Sequence, residues 1–201
     1  MDLLTPTYAR LCPDPFGGRR VQRQTLIQMF ELKPLDPDAI PAALEKAKHY
    51  RLLNEPLEAE SICLDILELE PDHEEALATL VLSLTDQFDR RLKKTFTEAR
   101  EVAARLGTEY DRSYYGGLIY ERRAKVHLER GGPGSGHVAY DWFRRAMENY
   151  DAAAKIDPDT SDPILRWNTC ARIIMHHPEL IPEPHAPAAP FLDAGPGSHD
   201  I

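Results

Sequence analysis

The sequence predicts an all-α protein, and three observations predict it. Apolar residues recur at helical spacing from about residue 38 to about residue 176. No segment carries the apolar/polar alternation of a half-buried strand. Of the 17 prolines, only Pro56, Pro71, Pro133, Pro158 and Pro163 fall between residues 42 and 177, so helix breakers are confined to a few points in the body. With 201 residues, 42% of them hydrophobic, the chain is long enough for one cored domain. The expected layout is a flank at 1–37, a helical domain at 38–177, and a disordered Pro/Ala/Gly-rich acidic tail at 178–201.

Each element has its own signal. In QRQTLIQMFELK, the residues Leu26, Ile27, Met29, Phe30 and Leu32 suit a short helix that caps the first helix pair. The body's first helix contains Ala47 and Tyr50, and Pro56 marks the turn after it. From Leu57 to Glu70, the apolar residues at 59, 62, 63, 66 and 69 form one stripe, with Glu58, Ser61, Asp65 and Glu68 off it. Pro71 and Asp72 end that helix, and the next first helix is expected around Val81. Leu92 through Leu106 again forms a stripe of Leu92, Phe96, Ala99, Val102, Ala103 and Leu106, supported by a Glu101–Arg105 pair and stopped at Gly107. Gly117 and Tyr120 belong to a further first helix, and the GGPGSG run is an inter-helix loop. A last amphipathic stretch carries Ala146, Tyr150 and Ala153 before Pro158. A closing helix then runs from Pro163 to about Met175, with Ile164 and Trp167 expected to cover the end of the core.

Two of these helices share one spacing. Ala59-x3-Cys63-x2-Ile66-x4-Pro71 matches Ala146-x3-Tyr150-x2-Ala153-x4-Pro158, and each proline follows an acid and precedes Asp. A middle copy, Ala99-x3-Ala103-x2-Leu106, has Asp111 where the proline should stand. This pattern resembles the tetratricopeptide repeat, a helix-turn-helix unit of about 34 residues with small residues at its helix contacts and a proline at its exit. Here the small residues are Ala47, Ala59, Gly117 and Ala146. The resemblance implies a right-handed α-α superhelix of three degenerate units plus a capping helix. The steps from Ala59 to Ala99 and from Ala99 to Ala146 both exceed that period, with the extra residues around TDQFDRRLKKTF and GGPGSG.

Members of that family are usually scaffolds without chemistry of their own, whose first helices line a concave groove for a peptide or helix of another protein. Carried over by position, the groove would consist of Leu44, Lys48, Arg51, Glu75, Ala78, Leu82, Tyr114, Leu118, Glu121, Leu165, Thr169 and Arg172. It would have an apolar floor and few charges. The family's clamp for the acidic C-terminus of heat-shock proteins needs Lys, Asn, Asn, Lys and Arg. The matching places hold Leu44, Lys48, Thr79, Glu75 or Asp111, and Tyr115, so that partner is not expected. The resemblance therefore implies a non-catalytic adaptor, scaffold or assembly factor with a protein partner and no cofactor. Alternatives are a bacterial secretion-type chaperone of the same repeat class and a metal-dependent enzyme or regulator.

Charge narrows the partners. The net charge is -9, with the acidic surplus lying entirely in residues 36–201, and such a surface repels the phosphates of nucleic acids and anionic membranes. No apolar run reaches the roughly 18 residues of a membrane helix. The first residues do not read as a secretory signal, which places the chain in the cytoplasm. Cys12, Cys63 and Cys170 lack C-x-x-C spacing and are expected to be reduced thiols. Gly131–Val138 has His137 and Val138 where a phosphate-binding loop needs Lys and Ser/Thr. His176 and His177 are adjacent rather than four apart, so even with Glu179, Glu183 and His185 they make a poor metal clamp. Basic pairs at Arg90/Arg91, Arg122/Arg123 and Arg144/Arg145 are solvated helix faces or positive spots for an acidic partner. Tyr114 and Tyr115 cannot both face one core, which leaves one for the groove. No nucleophile triad or paired-carboxylate arrangement is legible.

Overall fold

Seven α-helices and two short 3-10 turns account for most of residues 31–180, the residues described by a computed structural model, and no strand occurs among them. The all-α class holds. The helices are α1 (Ile40–Leu52), α2 (Pro56–Leu69), α3 (Glu74–Thr85), α4 (Phe88–Ala103), α5 (Glu109–Arg130), α6 (Ser135–Ile156) and α7 (Asp162–His176). Consecutive helices pack side by side, and α3 also touches α1 and α5.

Local chemistry sets the helix ends. Pro41, Pro56 and Pro163 stand in the first turns of α1, α2 and α7, where a missing N–H costs no helical hydrogen bond. Asn54, with φ of 60°, turns the chain out of α1. His73 Nδ1 accepts from the Ala76 N–H at the start of α3. Thr108 Oγ1 accepts from Asp111 N–H at 2.9 Å and starts α5, so the residue standing at the missing proline position begins a helix. Between α5 and α6, Gly131, Gly132 and Gly134 all have positive φ, the backbone that glycine adopts without a side-chain clash and that lets four residues reverse the chain. The residues by which the step from Ala99 to Ala146 exceeds the expected period lie in these two helices, which have 22 residues each. The residues by which the step from Ala59 to Ala99 exceeds that period lie in α4, which begins at Phe88 and is kinked at Arg91.

Two hydrophobic clusters form the core. The first unites α1 to α4 around Leu44, Ala47, Ala59, Cys63, Leu77 and Phe88 and draws in Ile119 and Val126 from α5. The second joins α5, α6 and α7 around Ala124, Phe143, Ala146, Tyr150 and Cys170. Helix α3 is the most enclosed of the first group, and its buried hydroxyls bond within the helix. Ser83 Oγ donates to the Thr79 carbonyl at 2.8 Å, and Thr85 Oγ1 donates to that of Leu82 at 2.9 Å. The Pro71 turn is tied to the α4–α5 turn: Arg105 donates to the Pro71 carbonyl, and the Glu74 carboxylate accepts from the Gly107 N–H at 2.9 Å.

Several expectations need correction. On α2, Leu67 is buried and Leu69 is exposed, because packing on two neighbours selects positions 59, 63, 66 and 67. On α7, Ile164 is exposed, and the face against α6 is Pro163, Trp167, Cys170 and Ile174. The second amphipathic helix spans 88–103 rather than 92–106, with Leu106 buried in the turn beyond it. The domain does not stop at 177: Pro178–Leu180 is a 3-10 turn, and Leu180 is fully buried in the second cluster. Leu32 lies in the irregular stretch 31–36 and is exposed. Leu26, Ile27, Met29 and Phe30 of the expected capping helix, and the tail from residue 181, lie outside the described residues.

α5 and α6 meet tightly at Gly117, where an added Cβ would stand 2.7 Å from the Tyr150 ring. At the neighbouring Gly116 it would meet only the end of the Asn149 side chain. Gly117→Ala is therefore expected to cost about 1–3 kcal/mol by overpacking. Gly116→Ala is expected to be neutral or to gain up to about 1 kcal/mol from helix propensity. Urea denaturation of the two variants measures both. Ala59→Leu and Ala146→Leu, at fully buried positions, belong with the destabilised class.

Candidate functional site

The candidate site is the face shared by the odd-numbered helices, where the sequence reading placed a groove. Two ion pairs join α1 to the ends of α3. Lys48 Nζ lies 2.8 Å from Glu75 Oε2 and 2.9 Å from Glu45 Oε1, and Arg51 Nε lies 2.9 Å from Asp86 Oδ2. Asp86 follows α3 directly, where a carboxylate meets the negative end of the helix dipole, and two guanidiniums offset it. The second is Arg122 of α5, which bonds Asp86 Oδ1 and donates to Thr85 Oγ1 at 2.7 Å and to the Leu82 carbonyl at 3.3 Å. The Lys48 ammonium holds the Glu75 carboxyl below the usual range, and the two carboxylates raise Lys48 above its own.

Beyond these pairs lies a tyrosine patch. Tyr110 and Tyr114 stack with centroids 6.0 Å apart, Tyr115 meets Tyr114 edge-on at 5.4 Å, and Tyr114 touches Tyr150 at 6.0 Å. Tyr115 packs on the first cluster and Tyr114 on the second, so the adjacent pair serves two cores and neither ring stands free. Burial, followed by the Asp111 carboxylate, pushes the Tyr115 hydroxyl up. Burial also raises that of Tyr110, which hydrogen-bonds Thr160 before α7. Arg166 of α7 lies 3.4 Å from Glu121 Oε1, which extends the connected face to the last helix.

The twelve expected groove residues divide by environment. Leu44, Leu118 and Glu121 are buried and line no surface. For α5 the reason is that it is shared by two clusters, which leaves a narrower exposed arc than a helix packed on one side. Lys48, Arg51 and Glu75 are on the face and ion-paired. Ala78, Leu82, Tyr114 and Thr169 are half-buried, and Leu165 and Arg172 are exposed on α7. The face also contains Tyr115, which the sequence left as one candidate for the groove, and Asp86, Tyr110, Arg122 and Arg166, which the sequence reading did not place there. Arg122 was visible as half of a basic pair, but its carboxylate lies 36 positions away in sequence.

Glu121 has become a structural joint. Its Oε2 accepts from Tyr150 Oη at 2.7 Å, and its Oε1 faces Lys125 Nζ at 2.5 Å and Arg166 at 3.4 Å. Burial, with the nearby carboxylate next, raises the Tyr150 hydroxyl far above its ordinary value and keeps it a donor. The thiols of Cys63 and Cys170 are likewise both pushed up to about 12 by burial. Among the described residues, no group of three or more His, Cys, Asp or Glu is arranged to hold a metal; Glu183 and His185 lie outside them. No helix among the described residues is long and apolar enough to cross a membrane. Comparison with protein-family models, curated proteins and solved structures gave no match to this chain.

Glu121→Ala would leave two cations and the Tyr150 hydroxyl without their acceptor, and a loss of about 3–5 kcal/mol is expected. Tyr150→Phe removes a single donor and is expected to cost about 1–3 kcal/mol. Thermal or chemical denaturation of the pair checks that order. Cys63 and Cys170, buried and protonated, are expected to resist a disulfide reagent in the native protein and to react at once in denaturant, as counted by released chromophore.

Proposed function

We propose that the protein is a non-catalytic binding module, a tetratricopeptide-type scaffold or assembly factor, that holds a peptide or helix of a partner protein against the α1–α3–α5–α7 face. The observation that carries this reading is the make-up of that face: half-buried Ala78, Leu82, Tyr114 and Tyr115 between ion pairs that already link one helix to the next. Tyr and Arg beside an apolar floor are the residue types that supply most binding energy in protein interfaces. Side chains fixed by their neighbours lose little further freedom when a partner docks, so less of the interaction energy is consumed by ordering. An apolar strip along parallel helix faces suits an amphipathic helix or extended peptide.

Seven helices that each pack on the next, with α3 also touching α1 and α5, support a three-unit array with a closing helix. Free, buried Cys63 and Cys170 suit a reducing compartment, and the cytoplasm is the proposed location.

The test is affinity capture from host extract, using the wild-type chain beside the double variant Tyr115→Ala, Leu165→Arg. The expected result is a protein recovered at stoichiometric level by the wild type and by an Arg144→Ala control, and lost with the double variant. Equal recovery by all three would move the binding surface elsewhere.

A further inference from the structure

The basic residues singled out in the sequence have different surroundings in the fold. Arg90 and Arg91 line a cleft together with Glu55, Glu58, Asp86 and Asp89, so their charge is offset locally. Arg122 is occupied by Asp86. Arg123 points about 100° away from Arg122 around α5 and meets the even-numbered helices instead. Its guanidinium carbon lies 3.9 Å from the Phe96 ring centroid on α4 and 4.1 Å from that of Trp142 on α6. Arg145 stands 4.7 Å from the Trp142 centroid and Arg100 stands 5.8 Å from that of Phe96, and the two rings are 5.6 Å apart. Three guanidiniums thus gather on one aromatic pair.

None of the three has a carboxylate within ion-pair distance among the described residues, in a chain whose net charge is -9. Like charges at this range repel, and chance placement on so acidic a chain would favour carboxylate neighbours. A guanidinium held over an aromatic face is attracted to the ring without using up its N–H donors. Arg123 Nε is buried with no partner. One turn further along α5, His127 Nε2 is also buried without a partner. Burial, then Arg100 and Arg145, depresses the Arg123 pKa, and burial, then Arg123 and Arg130, depresses that of His127.

We propose that Arg100, Arg123 and Arg145, held on the Phe96–Trp142 platform, bind a phosphate dianion. A dianion offsets the gathered positive charge more fully than a single carboxylate, and its oxygens accept several guanidinium donors at once. Free phosphate and the phosphorylated side chain of a protein present the same chemistry. This site is on the α4–α5–α6 side and does not depend on the partner face of the odd-numbered helices.

Calorimetric titration of the full chain at low ionic strength, with inorganic phosphate and separately with O-phosphoserine, is the test. Saturable 1:1 binding of at least one probe is expected with Kd of about 1 mM or tighter. Arg100 and Arg145 are exposed, so Arg100→Ala and Arg145→Ala should fold normally, and each should weaken binding by about tenfold or more. Arg90→Ala, in the compensated cleft, should leave it unchanged. Tighter binding of O-phosphoserine identifies the phosphorylated side chain as the source, and tighter binding of inorganic phosphate identifies the free anion. No saturation by either probe up to about 10 mM overturns the proposal. Equal weakening by Arg90→Ala, or competition by acetate as strong as by phosphate, does the same.

Discussion

The joint between Gly117, Tyr150 and Glu121 holds the C-terminal half of the domain together. Because Gly117 has no Cβ, α6 can bring the Tyr150 ring against the α5 backbone, and in that position the hydroxyl reaches Glu121 at 2.7 Å. The carboxylate is fully buried, and a buried charge is tolerated only where its partners replace water. Lys125 supplies one from the same helix, and Arg166 supplies another from α7. A slip of either neighbouring helix along α5 would separate these groups, so the joint fixes register as well as contact.

From that joint α5 becomes the wall between two cores. Ile119 and Val126 face the first cluster and Ala124 faces the second, while Tyr120 and Trp142 touch both. A helix with this double duty has little free circumference. Three of its polar side chains illustrate the result: Glu121 is enclosed in the second core, Arg122 closes the end of α3, and Arg123 is stacked between α4 and α6. Consecutive positions on one helix therefore serve a joint, a helix cap and an aromatic platform. Arg122 and Arg123 leave this element about 100° apart, one toward the odd-numbered helices and the other toward α4 and α6.

Residues whose signal was local were legible in advance. Pro71 ends α2, Pro163 starts α7, the glycine run between Arg130 and Ser135 reverses the chain, and the small residues Ala47, Ala59, Gly117 and Ala146 are all buried at helix contacts. The candidate site was less legible. Leu44, Leu118 and Glu121 were assigned to a surface by analogy of position, yet they lie in the interior: Leu44 packs into the first cluster, and α5, which carries the other two, is shared by both clusters. Asp86 and Arg166, which link the helices across the face, sit in stretches with no repeat signature.

By itself the sequence determined the all-α class, the points where helices stop and start, and the contacts where only a small side chain fits. These follow from backbone sterics and from a hydrophobic period of about 3.6 residues, both of which act over a few neighbours. Only the tertiary structure decided which polar groups are buried, which are paired, and which are left with unused donors. The pairs that decide it, Arg51 with Asp86, Arg122 with Asp86 and Arg166 with Glu121, span 35, 36 and 45 positions. Over such separations the partner of a charge is set by how whole helices pack, and a one-dimensional pattern holds no record of that packing.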